Sequence, residues 1–400
     1  MRTTSKSADP PQAERLRRID ELTRVVRGRA RALDDTASFP AETFFELRAA
    51  GLTALTVPVE HGGAGLWWEG RFRDYYELLE ALARVDSVTA QLLQVHSHAV
   101  GVVAGLSTDE QRSLFMPGVV ERGHLMASVG SEAKPSGKLA DIARTELEEP
   151  APGRYRLTCQ KYFASLAPAA DELMIWTAVP GEGPYQERSV VVLVPRSAPE
   201  VEIIDQWDVM GMRATVSHSV VVSGYDVPPE RVIGEPGAWT RRDPRTFTLA
   251  FAANHIGAAG AAFEFVTDWV RERTGLAGSE LTRVALGTMS SDLFAARAAL
   301  YAAADLWDQG RYNDAELASI QALHIGKRVA LDITQRAFDV CGARAAFRDH
   351  ALERLYRDVR TFSLHYRDDE YMTQVGRAVV EERFRAKGYA GASTFPQARA

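Results

Sequence analysis

Cysteine is nearly absent from this chain: 400 residues contain two, Cys159 and Cys341, far apart and without metal-ligand spacing. A disulfide framework and a structural zinc site are therefore excluded as organising features. Long apolar runs are missing too, since no uninterrupted run reaches the roughly 18 residues of a membrane span. The polar stretch Met1 to Pro11 lacks the apolar core of a signal peptide, and the expected location is the cytoplasm. There is no excess of charge of one sign: 47 Lys and Arg face 53 Asp and Glu, a net charge of −6, without basic runs. Nucleic acid and anionic membranes are accordingly not expected as partners. Internal repeats and low-complexity tracts are lacking as well. What remains is a chain 46% hydrophobic and 25% charged, long enough for two or three domains with substantial cores.

The apolar residues change period twice along the chain. Leu16, Ile19, Val26, Ala30 and Leu33 recur at helical steps, and a second helix is expected from Pro40 to Gly51,. Helices are expected again from Tyr75 to Arg84 and Ser87 to Val103, with Ser107 and Glu110 as a capping box for the next,. The runs Tyr155–Thr158, Leu173–Val179, Val190–Val194 and Ser219–Val222 are rich in β-formers and bounded by turns, which predicts a small β-barrel or sandwich. Beyond Gly234 to Gly237 helical spacing returns. Leu281, Ala285, Met289, Leu293, Ala296, Leu300, Ala304 and Trp307 form one stripe, and Leu317, Ile320, His324, Ala330, Ile333, Ala337 and Val340 the next. The expected fold class is mainly α with a β domain: a helical domain over 12–122, a β-barrel over 123–238, and a four-helix bundle over 239–400.

Several segments then match a known family in order. Val57-Pro58-Val59-Glu60-His61-Gly62-Gly63-Ala64-Gly65, Asp86-Ser87-Val88 with His96, Gly211-Met212-Arg213-Ala214-Thr215, Val227-Pro228-Pro229 to Gly234, Gly342-Ala343-Arg344 and Tyr356-Arg357-Asp358-Val359-Arg360 resemble motifs of the acyl-CoA dehydrogenase superfamily. Lys161-Tyr162-Phe163-Ala164-Ser165, Trp207-Asp208 to Arg213, and Val359-Arg360-Thr361-Phe362-Ser363-Leu364-His365 resemble its oxygenase branch, the two-component reduced-flavin monooxygenases.

A dehydrogenase of this superfamily needs a carboxylate to take a proton from carbon. By the resemblance, the position for that base falls on Tyr366, and the alternative position on the first bundle helix lies in a stretch, Asp243 to Glu264, with no acid between its ends. A tyrosine, with an ordinary pKa of about 10, is too weak a base. Asp368, Asp369 and Glu370 are the nearest substitutes, or else a solvated helix start. The resemblance therefore implies an oxygenase, in which reduced flavin from a separate NAD(P)H flavin reductase captures O2 as a peroxyflavin and hydroxylates an apolar aromatic or heteroaromatic compound, such as an indole-type ring of secondary metabolism. An acyl-CoA dehydrogenase or oxidase with a relocated base, and a cofactor-free scaffold, are the alternatives.

The candidate catalytic residues are His365, which titrates near neutrality and can give or accept a proton, with Ser165 and His96. For His96 a pocket role and a satisfied core histidine stand equally open, and Ser165 either faces flavin or caps its own turn. Ser128, Ser165, Arg213, Thr215, Ser217, Arg271, Gly342 and Arg344 are the candidate flavin contacts, with FAD preferred over FMN because arginines occupy both phosphate-binding positions. No metal site is expected, and the resemblance implies a homotetramer or homodimer.

Overall fold

The computed structural model describes residues 11–132, 145–238, 246–366, 368–382 and 384. It opens with α1 (Gln12–Thr36), α2 (Ala41–Ala49), α3 (Phe72–Val85), α4 (Ser87–Leu106) and α5 (Asp109–Pro117). Of these α4 is the central one. Asp86 caps it by accepting from the Thr89 amide at 2.9 Å, and nearly every residue of the helix is buried. A helix apolar on all sides belongs inside a core, and α4 is walled by α3, β1 and the bundle. The glycine-rich loop before α3 supports it: Thr56 Oγ1 donates to the Ser97 carbonyl at 2.6 Å, and a Cβ on Gly63 would lie 2.1 Å from the Val57 oxygen.

Next come β1 (Met126–Val129), β2 (Glu148–Ala151), β3 (Arg154–Ala164), β4 (Glu172–Ala178), the short α6 (Tyr185–Arg188), β5 (Ser189–Pro195), β6 (Val201–Ile204), β7 (His218–Val227) and β8 (Val232–Ile233). They form two four-stranded sheets, ordered β1-β4-β5-β8 and β2-β3-β7-β6. The expected barrel is thus corrected to a pair of sheets. Val190 to Val194 of β5 are buried without alternation, as in a strand covered on both faces. In β3, Leu157, Cys159 and Lys161 alternate inward; the Lys161 ammonium is paired with buried Glu132 and also donates to the Trp176 carbonyl at 2.9 Å.

The bundle comprises α7 (Thr246–Arg271), the short α8 (Thr274–Ala277), α9 (Glu280–Asp308), α10 (Tyr312–Cys341), α11 (Ala351–Phe362) and α12 (Asp368–Glu381). Over Thr248–Arg271, α7 is long and apolar enough to cross a membrane, yet 83% of its most apolar window is buried inside the protein. Its small residues serve close packing: a Cβ on Gly257 would sit 2.4 Å from the Glu80 carbonyl oxygen of α3.

Two sequence expectations shift locally. The capping box of α5 is Thr108 with Gln111, one residue beyond the expected Ser107 and Glu110, because the Thr108 hydroxyl and Gln111 amide reach each other's backbone. Leu281 leaves the buried stripe of α9 and is 83% exposed.

Charged residues lock the three parts together. The buried Asp358 carboxylate of α11 accepts from the Met212 amide at 2.5 Å and from Arg354 at 3.2 Å, while Arg354 also donates to the α4 cap Asp86 at 3.1 Å. Arg357 donates to Asp34 at the end of α1 at 2.6 Å and to the Met210 carbonyl at 2.8 Å. Arg354 with Arg357 and Asp358 of the Arg-Asp-x-Arg element therefore forms a structural knot joining α1, α4, α11 and the loop after β6. Burial pushes the Asp358 carboxyl up to about 6 against the pull of Arg354.

Candidate active site

Where α4, the sheets and the end of α11 meet, a pocket of about 330 Å³ is lined by Gln91, Phe163, Ser165, Trp207, Met212, Thr215, Ser217, Thr361, Phe362 and His365. No Asp or Glu stands among these residues. His365 is the one imidazole among them.

The backbone around the pocket is bent into left-handed conformations that L-residues seldom take. Phe163, Leu166, Met212 and Val216 all have positive φ, between 44° and 71°, and a β-branched residue such as Val216 is strained there. Between them these turns place three buried hydroxyls in a row: Thr215 Oγ1 lies 2.7 Å from Ser217 Oγ, which lies 2.7 Å from Ser165 Oγ. Proton counting fixes the direction of the row. Thr215 spends its proton on the Met212 carbonyl at 2.7 Å, so it accepts from Ser217, and Ser217 in turn accepts from Ser165. Ser165 therefore offers the pocket lone pairs and no proton.

His365 follows α11, with the rings of Phe251 and Phe362 4.8 and 6.0 Å away. The packed side of the imidazole is desolvated, which draws its pKa down toward about 4. Its other side is exposed to water, which tempers that shift, and the direction favours a neutral ring with one donor and one acceptor nitrogen. Gln91 contributes a buried amide whose Oε1 has no partner, and Trp207 meets Phe163 edge-on at 6.1 Å.

Ser165, Thr215, Ser217 and His365, expected from sequence, thus come together. The other candidates do not join them. His96 is fully buried, its Nδ1 accepting from the Met126 amide at 3.0 Å and its Nε2 donating to the Thr53 carbonyl at 2.8 Å; burial holds its pKa down to about 4. It is a satisfied core histidine. Arg213 is committed to the Asp34 and Val209 carbonyls and to Asp208, tying α1 to the loop. Ser128 lies on β1 beneath Trp176, whose indole nitrogen is 3.4 Å from its hydroxyl. Arg271 is exposed at the end of α7, paired with Asp268 at 3.2 Å, and Gly342 and Arg344 sit on the exposed turn after α10. Among the described residues no cluster of His, Cys, Asp and Glu could hold a metal.

At the family's base position, Tyr366 stacks on Phe251 at 5.8 Å. Asp368 turns away to His324, 3.0 Å distant. Sequence reasoning missed Gln91 and His255. Their signal was present: a polar side chain on a helix buried all round must face another polar group, a cavity or a ligand.

A helical layer, a pair of small sheets and a helical bundle, with a carboxylate-free cleft at their junction, define the class of protein. Its N-terminal part matches the acyl-CoA dehydrogenase N-terminal domain over residues 18–122, and its bundle matches the acyl-CoA dehydrogenase C-terminal domain over 249–370. Together these cover more than half of the chain, which belongs to the acyl-CoA dehydrogenase superfamily. It is 26% identical to a dibenzothiophene monooxygenase of Mycolicibacterium goodii, over 96% of this chain and 97% of that one. It is also 28% identical to the putative acyl-CoA dehydrogenase YdbM of Bacillus subtilis, over 82% and 86%. Among solved structures it shares the fold of TdsC from Paenibacillus sp. A11-2 in complex with FMN and indole, with a TM-score of 0.83, 24% identity, and 94% and 99% coverage.

Proposed function

We propose that this chain is a flavin-dependent monooxygenase that uses reduced flavin and O2 to hydroxylate an aromatic or heteroaromatic ring. One observation carries the reading: the pocket at the junction holds His365 and a row of hydroxyls, and no carboxylate. The relatives named as monooxygenases, matched along almost the whole chain, support the same choice. Dehydrogenation with a relocated base is disfavoured by the engagement of Asp368 with His324.

The pocket's residues fit a flavin ring system: aromatic groups at Trp207 and Phe163, hydroxyls at its base, and an unpartnered amide oxygen on Gln91. When bound, reduced flavin supplies the electrons that activate dioxygen. Ser165, offering lone pairs only, would accept a hydrogen bond from an N–H of the bound cofactor. The neutral His365 ring donates from one nitrogen to oxygen and takes a proton back at the other. Phe163, Met212, Trp207 and Phe362 give the pocket an apolar lining, and a ring system seated over them would exclude water from that exchange and strengthen each of these hydrogen bonds.

FMN is the form we favour over FAD. Arg271, assigned to an adenine-nucleotide phosphate by resemblance, is 74% exposed and paired with Asp268, and the TdsC relative carries FMN. A separate NAD(P)H reductase supplies the reduced flavin, the cytoplasm is the proposed location, and a homotetramer or homodimer is the proposed assembly. Exposed Leu281, Val284 and Phe294 along α9 give such an assembly an apolar face to cover.

Chemically reduced FMN, mixed anaerobically with the protein and then with oxygen and indole, tests the reading. Hydroxylated product with little free hydrogen peroxide is expected. Stoichiometric peroxide without product, across a panel of ring compounds, would overturn it.

A further inference from the structure

Beside Phe362, which also lines the pocket, three polar atoms are buried without partners. His255 on α7 is wholly buried and neither ring nitrogen makes a hydrogen bond; the same is true of the Tyr366 hydroxyl. The two rings lie 6.3 Å apart, and Phe362 packs on His255 at 4.8 Å. Lys327 of α10 brings its ammonium to 5.0 Å from the Tyr366 ring; burial keeps the His255 imidazole neutral, and the Lys327 charge adds to that. Asp368, two residues beyond Tyr366 in the chain, is held by His324. Phe251, Phe362 and Tyr371 pack around these two rings, and His365 lies close enough to act on His255. Buried polar atoms are almost always paired in a resting protein, so a group of them converging beside a reaction pocket marks a place where a ligand completes the set.

We propose that His255, Tyr366 and Lys327 form a substrate subsite that grips a hydrogen-bond-accepting oxygen, a carbonyl or carboxylate, carried on the aromatic ring to be oxygenated. Each of the three offers a donor: one imidazole N–H, the phenol O–H and the ammonium. The substrate is therefore a ring with an oxygen-bearing substituent, held at that end while the ring faces the pocket. This rests on the proposed monooxygenase reading for the placement of the ring, and its test uses binding alone.

The measurement compares the affinities of indole-3-acetate, indole-3-acetamide and 3-methylindole, by calorimetry, with and without oxidised FMN. Tighter binding of either oxygen-bearing ring than of 3-methylindole, by tenfold or more, is expected, and the two arms separate a carboxylate from a neutral carbonyl. Lys327→Met should weaken the acetate, and Tyr366→Phe and His255→Phe should weaken both oxygen-bearing rings, with 3-methylindole unchanged. His255→Phe should also leave thermal stability equal or raised, because it removes unpaired polar atoms from the interior. Equal affinity for all three rings, no binding of any, or a preference that survives all three substitutions would overturn the subsite. Turnover with reduced FMN and oxygen, scored separately, reports on the monooxygenase reading, so that either idea can fail alone.

Discussion

The direction of the Thr215–Ser217–Ser165 row makes a quantitative prediction for Ser217→Ala. In the parent protein Ser165 must give its proton to Ser217, 2.7 Å away, and can only accept from the pocket. An acceptor favours reduced flavin, which carries more N–H groups than the oxidised form, by roughly one neutral hydrogen bond, about 1 kcal/mol. Without Ser217, the Ser165 hydroxyl is free to turn its proton into the pocket, where it can donate to the oxidised form while still accepting from the reduced one, so the preference for the reduced form disappears. The change is about 1 kcal/mol, or about 20 mV for a two-electron couple at about 30 mV per 1.4 kcal/mol. Ser165→Ala removes the hydrogen bond in both states, and its shift should be of similar size. The assay is the midpoint potential of protein-bound FMN, measured by dye equilibration. A fall of about 20 mV is expected for each variant. A Ser217→Ala potential within about 10 mV of the parent, or above it, would show that the hydroxyls run the other way or do not meet the flavin.

Other consequences follow from the same contacts. Arg354→Met leaves the buried Asp86 and Asp358 without their cation and should cost about 3–5 kcal/mol in denaturant unfolding; a loss below about 1 kcal/mol would contradict the knot. Asp368→Asn should leave oxygenation within about twofold, since that carboxylate faces His324; abolished turnover would return it to the role of base. His96 and His255, ordinarily near 6.5, are held down to about 4 and about 3 by burial, so each is neutral when folded and charges on unfolding. Their share of stability is intact above about pH 6.5 and drains as the pH falls, by about 2 kcal/mol each at pH 5. Urea titrations of His255→Phe at pH 7.5 and 5 should show that share removed, and an unchanged difference between the two pH values would refute it.

Much of the fold was legible because the hydrophobic periods are long and clean. The stripe from Met289 to Trp307 is buried as its spacing requires, and the run of valines in β5 sits where a doubly covered strand belongs. Closure of the sheets was not legible, because which strands pair is decided by distant contacts. In the site, Ser165, Thr215 and Ser217 lay in motifs whose local turns are themselves strained, so the sequence carried both the residue and its setting, and His365 closed a motif that continues directly from α11. His96 and Arg213 misled for one reason: a motif reports that a side chain is needed, and both are needed, His96 to satisfy Thr53 and Met126 and Arg213 to hold α1. Gln91 and His255 sit on apolar helices where a single polar letter reads as noise until its burial is known.

No carboxylate lines the pocket at the junction, and the most direct test of that is anaerobic. Protein loaded with oxidised FMN or FAD is mixed with saturated acyl-CoA thioesters of several chain lengths, and the flavin absorbance is followed. No bleaching is predicted with any of them, because no base is in place to take the proton from carbon. Rapid bleaching with even one thioester would mean that a base does reach the substrate and that the chain is a dehydrogenase.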